Sequence, residues 1–336
     1  MFNIEREGEE HRNLYYKDEH CVGCGICVEV CPTDSLRLGP IVPIARGLIE
    51  MNLVSINKDS CVFCGLCSVS CPFDSLDLTI DGVNVKDIES YPVWDVESKI
   101  DEENCIYCGR CHNVCPRDSI IFERKLPSPV DLVRGEMEID NDQCIYCSFC
   151  AELCPAGAII IENVPKSSND RLNKSIDVEL SKCIFCGVCK RVCPENAIKI
   201  ICSTCMFSEE IKTPEITGDV FILDGSCVNC SWCSEICPVD AITITKPFDG
   251  KLELIETEEK ICKGVSCHAC LDVCPCNAVE IVDGKSVTNL DFCNLCGACV
   301  TACPQNIRVV SRTGMKLNNI NSESWNDLLK TILVGK

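Results

Sequence analysis

One phrase constrains this chain more than any other: Cys21-Val22-Gly23-Cys24-Gly25-Ile26-Cys27-Val28-Glu29-Val30-Cys31-Pro32. Its form is C-x2-C-x2-C-x3-C-P, and the same spacing returns from Cys61, Cys105, Cys144, Cys183, Cys227 and Cys293. One further copy, Cys262, Cys267, Cys270 and Cys274-Pro275, carries two extra residues in its first step. The first cysteines of successive copies stand 40, 44, 39, 39, 44, 35 and 31 residues apart, so the chain is a repeat array. With 35 cysteines in 336 residues it is too long for a small disulfide scaffold, and evenly spaced thiols favour metal over disulfides.

The spacing is the one that holds [4Fe–4S] clusters in two-cluster bacterial ferredoxins. Three cysteines at steps of three let a short loop wrap one face of a cubane. The fourth points away to the other cluster of the pair. Proline behind it fixes φ and removes a donor. Glycine follows the second cysteine at Gly25, Gly65, Gly109, Gly187 and Gly297, while Ser148, Ser231 or Ala269 takes that place elsewhere. Such a chain gains much of its folding energy from metal, and the apo form is expected to be largely unfolded.

The formal charge of −20 counts thiols as neutral. Eight oxidised cubanes, each about −2 with its thiolates, bring the holoprotein to roughly −36. Nucleic acid and anionic membranes are excluded as partners on that ground. No run of about eighteen apolar residues exists to span a bilayer, and Met1 to Arg12 do not read as a signal peptide. A reducing, cytoplasmic setting is expected. No nucleophile–base pair or phosphate-cradling loop is recognisable, so the chain is not expected to be an enzyme on its own.

Short alternating stretches flank the copies, such as Leu53-Val54-Ser55-Ile56 before one and Ala241-Ile242-Thr243-Ile244 after another, and they read as strands. With one helical turn between the third and fourth cysteines, two copies make a β-α-β-β-α-β unit. The expected class is α+β, a tandem array of four two-cluster units with the clusters as core. Sequential pairing gives units at 1–83, 84–165, 166–248 (with the Cys202/Cys205 insertion) and 249–312, then a helical tail at 313–336. A nested arrangement stays open, because a repeat alone does not fix pairing. Under sequential pairing the first unit uses Cys21, Cys24, Cys27 with Cys71 and Cys61, Cys64, Cys67 with Cys31. The second uses Cys105, Cys108, Cys111 with Cys154 and Cys144, Cys147, Cys150 with Cys115. The third uses Cys183, Cys186, Cys189 with Cys237 and Cys227, Cys230, Cys233 with Cys193. The fourth uses Cys262, Cys267, Cys270 with Cys303 and Cys293, Cys296, Cys299 with Cys274. Cys262 is the least secure ligand, because Lys263 to Ser266 lengthen its loop.

Three cysteines remain. Cys202 and Cys205 make half of a tetrahedral site. Either a second copy supplies the rest, giving one more cluster shared between two chains, or they are an alternative ligand pair or two reduced thiols. Cys276 reads as a small buried residue. Phe63, Tyr107, Tyr146 and Phe185 are expected to pack over the cubanes. His20, His112 and His268 flank ligands without being needed, since every copy has four cysteines. In the tail, Ser324 with Asp327 can cap a helix whose stripe is Trp325, Leu328, Leu329, Ile332 and Leu333. That stripe either closes the array or docks on a partner.

Beyond the cysteines, Gly39-Pro40-Ile41-Val42-Pro43-Ile44-Ala45-Arg46-Gly47-Leu48-Ile49-Glu50-Met51, Tyr91-Pro92-Val93-Trp94-Asp95-Val96 and Leu132-Val133-Arg134-Gly135-Glu136 resemble the polyferredoxin subunits of archaeal tungsten or molybdenum formylmethanofuran dehydrogenases. The resemblance implies an electron-transfer subunit that serves a metal–pterin catalytic subunit reducing CO2. It also implies a small ferredoxin subunit as relay and an external low-potential electron donor. A polyferredoxin of a nickel–iron hydrogenase or heterodisulfide reductase system, and a free-standing electron or iron–sulfur reservoir, are the alternatives.

Overall fold

The computed structural model describes every residue except 1, 127, 129–134, 165–172, 203–215, 224, 319–322 and 335–336. Each cysteine run folds alike. The residue after the second cysteine adopts a left-handed conformation, as at Gly25 (φ 82°) and Gly109 (φ 83°), and a single helical turn starts there. In the stretched run that residue is His268 (φ 58°); Ala269 is the first residue of the turn, which corrects its assignment to the glycine position. The turns, such as Ile26–Glu29 and Leu66–Val69, carry the third cysteine and end before the fourth, slightly earlier than expected.

Strand pairing sorts the runs into units. In the first, Arg12–Tyr16 pairs with Leu76–Ile80 and Leu36–Leu38 with Val54–Ile56, all antiparallel. Phe2–Arg6 and Val83–Asn84 extend its outer sheet. In the last, Phe248–Leu254 pairs with Arg308–Met315 and Val279–Val282 with Lys285–Thr288. Each unit therefore joins its first strand to its last and its two middle strands to each other.

The middle of the chain departs from sequential pairing. Ser98–Ile100, ahead of the third run, pairs with Ile242–Ile244, behind the sixth. Ile120–Lys125 pairs with Thr217–Ile222. Between them, Gly135–Ile139 pairs with Ile198–Cys202 and Ile159–Val164 with Asn173–Val178. The fourth and fifth runs thus form one unit, set into the hairpin link of a unit made by the third and sixth. The boundaries 84–165 and 166–248 are not units. The reason is geometric: a unit whose end strands pair has both ends side by side, with Gly135 opposite Cys202. It can be inserted in a link without prying the host apart.

The tail folds back on the chain. Leu317–Asn318 pairs with Val93–Trp94, and helix Glu323–Leu333 begins one residue before Ser324, which is therefore inside the helix rather than its cap. Leu329 and Leu333 are buried in one core with Val22 and Ile26 of the first unit, Val228 of the split unit and Val273 and Ala298 of the last. Trp325 packs 5.6 Å from the ring of Tyr91. Leu328 is exposed, and the Ile332 side chain lies outside the described residues. Of the two roles expected for the stripe, the structure gives it that of a cap. Removing this apolar area from water is what welds the ends of the array together. Among the described residues no helix is long and apolar enough to cross a membrane.

Candidate metal centres

Five recesses are each walled by four cysteines. Cys21, Cys24, Cys27 and Cys71 share one, and Cys61, Cys64, Cys67 and Cys31 its neighbour. Cys262, Cys267, Cys270 and Cys303 share another, so the lengthened loop still delivers Cys262 to its site. The other two carry the pairing correction. Cys105, Cys108 and Cys111 meet Cys237, not Cys154, and Cys144, Cys147 and Cys150 meet Cys193, not Cys115.

The remaining three sites follow from which thiols act on one another. Burial first, then the charge of Cys154 among other causes, raises Cys183, Cys186 and Cys189. Cys115 acts likewise on Cys227 and Cys233, and Cys274 on Cys293, Cys296 and Cys299. Cys154 therefore belongs with the fifth run, and Cys115 with the sixth. Cys202 ends its strand, but its side chain and all of Cys205 lie outside the described residues.

Among the described residues no three ligand side chains close tightly enough to hold a single ion. A lone zinc needs sulfurs at about 2.3 Å from one point. Four thiols spaced as in two-cluster ferredoxins and set around an apolar recess, walled by Leu14, Leu36 and Leu78 in one case, suit a multi-atom cluster instead.

Comparison with known proteins agrees with that chemistry. A 4Fe–4S dicluster domain family matches at residues 20–75, 60–119 and 104–158, another dicluster family at 143–198, and a 4Fe–4S binding domain family at 220–243 and 287–309. The polyferredoxin protein FwdF of Methanocaldococcus jannaschii is 52% identical over 137 residues, which make up 40% of this chain and 39% of that protein. Between them the 4Fe–4S family matches cover residues 20–198, 220–243 and 287–309. A chain of the formate dehydrogenase–heterodisulfide reductase–formylmethanofuran dehydrogenase complex from Methanospirillum hungatei has the same fold, with a TM-score of 0.63 and 25% identity over 98% of this chain and 91% of its own. The aligned part of the FwdF protein is well under two thirds of its length. The dicluster matches at 60–119 and 104–158 join neighbouring runs that the fold assigns to different units. A pattern of two runs and a link cannot sense which strands pair.

The chain also aims its backbone at the sulfurs. The third residue after each fourth cysteine is Asp34, Asp74, Asp118, Gly157, Asn196, Asp240, Asn277 or Asn306, every one at positive φ between 48° and 57°. Asp, Asn and Gly tolerate that conformation best. The turn then sends the next amide back to the fourth cysteine: Ser35 N–H donates to Cys31 Sγ at 3.3 Å, Ala197 N–H to Cys193 Sγ at 3.2 Å and Ala278 N–H to Cys274 Sγ at 3.3 Å. These residues were not singled out from sequence, although the signal C-P-x-D/N/G is there to read.

Phe63, Tyr107, Tyr146 and Phe185 likewise sit at positive φ, between 49° and 56°, two residues after their first cysteines. From there Tyr107 and Phe185 N–H donate to Cys105 and Cys183 Sγ at 3.4 Å. Their backbones serve the site as well as their rings. His20 and His112 set their Nδ1 atoms 3.2 and 2.6 Å from the carbonyls of Asp74 and Ile120.

Burial dominates the thiols. It pushes Cys24, Cys189 and Cys299 up to about 12, with neighbouring charges acting after it. At Cys31 burial also raises, but the amides of Thr33 and Ser35 outweigh it and the net shift is downward. Cys276 is more than the filler expected: its buried thiol hydrogen-bonds to Cys230, and this is the first cause holding Cys230 down at about 7.

Sites of different units adjoin. Cys24 of the first unit and Cys296 of the last pack in one core, where the charge of Cys24 acts on Cys296, and Arg46 ties these units by bonds to Asp272 Oδ2 (2.7 Å) and Cys267 O (2.6 Å). Cys276 bridges the last unit to Cys230 of the split one. There Trp232 stacks on Phe292 at 3.5 Å and donates to Cys276 O at 2.7 Å. Cys108 and Cys186 share a small core between the split and inserted units.

Proposed function

We propose that this chain holds eight [4Fe–4S] clusters, two per unit. We further propose that it conducts low-potential electrons to or from the metal–pterin site of a formylmethanofuran dehydrogenase complex, which reduces CO2 to formyl-methanofuran. The ligand sets are those of the first and last units as expected, with Cys105, Cys108, Cys111 and Cys237; Cys227, Cys230, Cys233 and Cys115; Cys144, Cys147, Cys150 and Cys193; and Cys183, Cys186, Cys189 and Cys154 in the middle. Each cubane, when bound, takes up or releases one electron at a time. The thiolates hold and space the clusters, the apolar walls keep water away, and the aimed amides favour the negative charge that accumulates on sulfur.

The observation that carries the reading is that sites of different units adjoin: Cys24 and Cys296 pack in one core, Cys230 bonds to the Cys276 thiol of the last unit, and Cys108 and Cys186 pack in another. A reservoir has no need of such contacts; a conductor depends on them. The name of the structurally similar complex supports partners that are subunits of an oxidoreductase complex; the partners proposed are a metal–pterin catalytic subunit, a small ferredoxin subunit and an external low-potential donor, and the proposed setting is reducing and cytoplasmic.

Elemental analysis of the native complex, isolated without oxygen and normalised to this chain, is the test. About 32 iron atoms from this chain follow from eight four-iron cubanes, with tungsten or molybdenum near one. Nickel without either would move the chain to a hydrogenase system, and no partner metal would leave a free-standing carrier.

A further inference from the structure

The last unit breaks the repeat in its core. Five residues after the fourth cysteine the other runs bury an aliphatic side chain: Leu36, Leu76, Ile120, Ile159, Ile198, Ile242 and Val279. The eighth run places Arg308 there, and it is only 3% exposed. Its neighbours changed with it. Ser286 and Thr288 stand on the middle strand where the first unit has Val54 and Ile56 at the same register. Arg308 Nη1 donates to Ser286 Oγ at 2.8 Å and Nη2 to Thr288 Oγ1. Both acceptors are neutral, and Nε is buried with no partner.

A guanidinium keeps its charge in proteins, and a buried charge without a counter-charge is costly. The groups facing it are cysteines of both sites of the unit, which become anionic as cluster ligands: Cys270 on one side, Cys293 and Cys299 on the other. Arg308 also lines the Cys262 void, where Ser286 N–H donates to Cys262 Sγ at 3.4 Å.

We propose that Arg308 is a positioning residue for electrons: a fixed positive charge between the two cluster sites of the last unit that makes them easier to reduce than they would be in the repeat's ordinary apolar core. The inference rests on the eight-cluster reading. Positive charge favours the added electron by the same Coulomb argument that negative charge opposes it. The last unit, whose sites adjoin both the first unit and the split one, is then where electrons come to rest.

The test is potentiometric titration of the oxygen-free holo chain, followed by electron paramagnetic resonance. Three forms are compared: the wild type, Arg308→Lys, and the triple change Arg308→Leu, Ser286→Val, Thr288→Ile, which restores an apolar core and leaves no orphaned hydroxyl. With full iron retained, the triple variant should make reduction of two clusters at least tenfold less favourable, about 59 mV for one electron. Arg308→Lys should stay close to wild type. Unmoved potentials at full iron would overturn the proposal. So would equal shifts in both variants, or iron loss in the triple variant, either of which assigns Arg308 a structural role. A wild-type iron count far from eight clusters would instead fail the reading beneath it.

Discussion

Cys108 and Cys237 wall the same void, although 128 residues separate them in the sequence, and that juxtaposition can be counted in iron. Each single change, Cys108→Ala or Cys237→Ala, should remove one cluster and leave about 28 of about 32 irons per chain. The double variant should also hold about 28, because both cysteines serve one site. Sequential pairing would give Cys237 to Cys183, Cys186 and Cys189, and the double variant would then hold about 24. Cys108→Ala with Cys154→Ala reverses the logic. Cys154 acts on Cys183 and Cys186, so this pair should lose two clusters. Iron per chain, measured against quantitative amino-acid analysis, reads the outcome, and a spin count after reduction checks it. A site that kept three irons would shift the totals but not the contrast, since shared sites are non-additive and separate ones add. A Cys108/Cys237 double variant near 24 with a Cys108/Cys154 variant near 28 would refute the nested arrangement.

Three further outcomes follow from the same geometry. Gly264 sits at φ +47° with the Gly284 carbonyl where a Cβ would go, so Gly264→Ala should cost the Cys262 site its iron. Gly284→Ala, with open space around it, should only lower Tm through about 1–2 kcal/mol of left-handed strain. Leu329→Ala should cost about 2–5 kcal/mol from a fully buried position, seen as faster hydrogen exchange around Val22 and Ile26 in the same core. Ligation needs thiolates, and cysteines of an unfolded apo chain titrate near the ordinary value of about 8.5; each ligand must give up a proton on cluster formation, so reconstitution should weaken steadily as pH falls below about 8.5, read by absorbance.

The periodic donors were legible because metal ligation demands fixed spacing and little else. The last pair was legible because its link is short, only a two-residue turn, Asp283-Gly284, between strands; the first came out right only because its neighbours pair in chain order, its 40-residue interval being no shorter than the 39 of the middle runs. The middle pairs were not. Ile120-Ile121-Phe122 and Ile159-Ile160-Ile161 are interchangeable as local signals, and only long-range register, Ile120 opposite Ile222 and Ile159 opposite Val178, tells them apart. Arg308 stands in the sequence where an alignment of the runs would have flagged it. Its meaning needed the fold, because an arginine after a strand's start reads as a solvated end until its burial is known. His268 shows the reverse case: its position after Cys267 was misassigned by one residue, and the backbone angle corrects it.

Chain order and spatial order differ in a way that bears on conduction. Along the chain the units run first, split, inserted, split again, last. Through space the first, last and split units all meet one another and the inserted unit adjoins the split one: Cys24 shares a core with Cys296, Cys276 bonds to Cys230, Arg117 donates to Glu19 O, and Cys108 shares a core with Cys186. Inserting a unit in a link adds sites beyond one face of its host. The host's other face keeps its contact with the last unit, as the Asn294 side chain donating to Val228 O at 2.7 Å shows. The first unit also meets the split one directly, where Arg117 Nη2 donates to Glu19 O at 2.7 Å and the His20 ring lies against Gly225. The first, last and split units therefore close a ring of contacts, and the pair of sites that Arg308 is proposed to tune lies on one of the two ways round it.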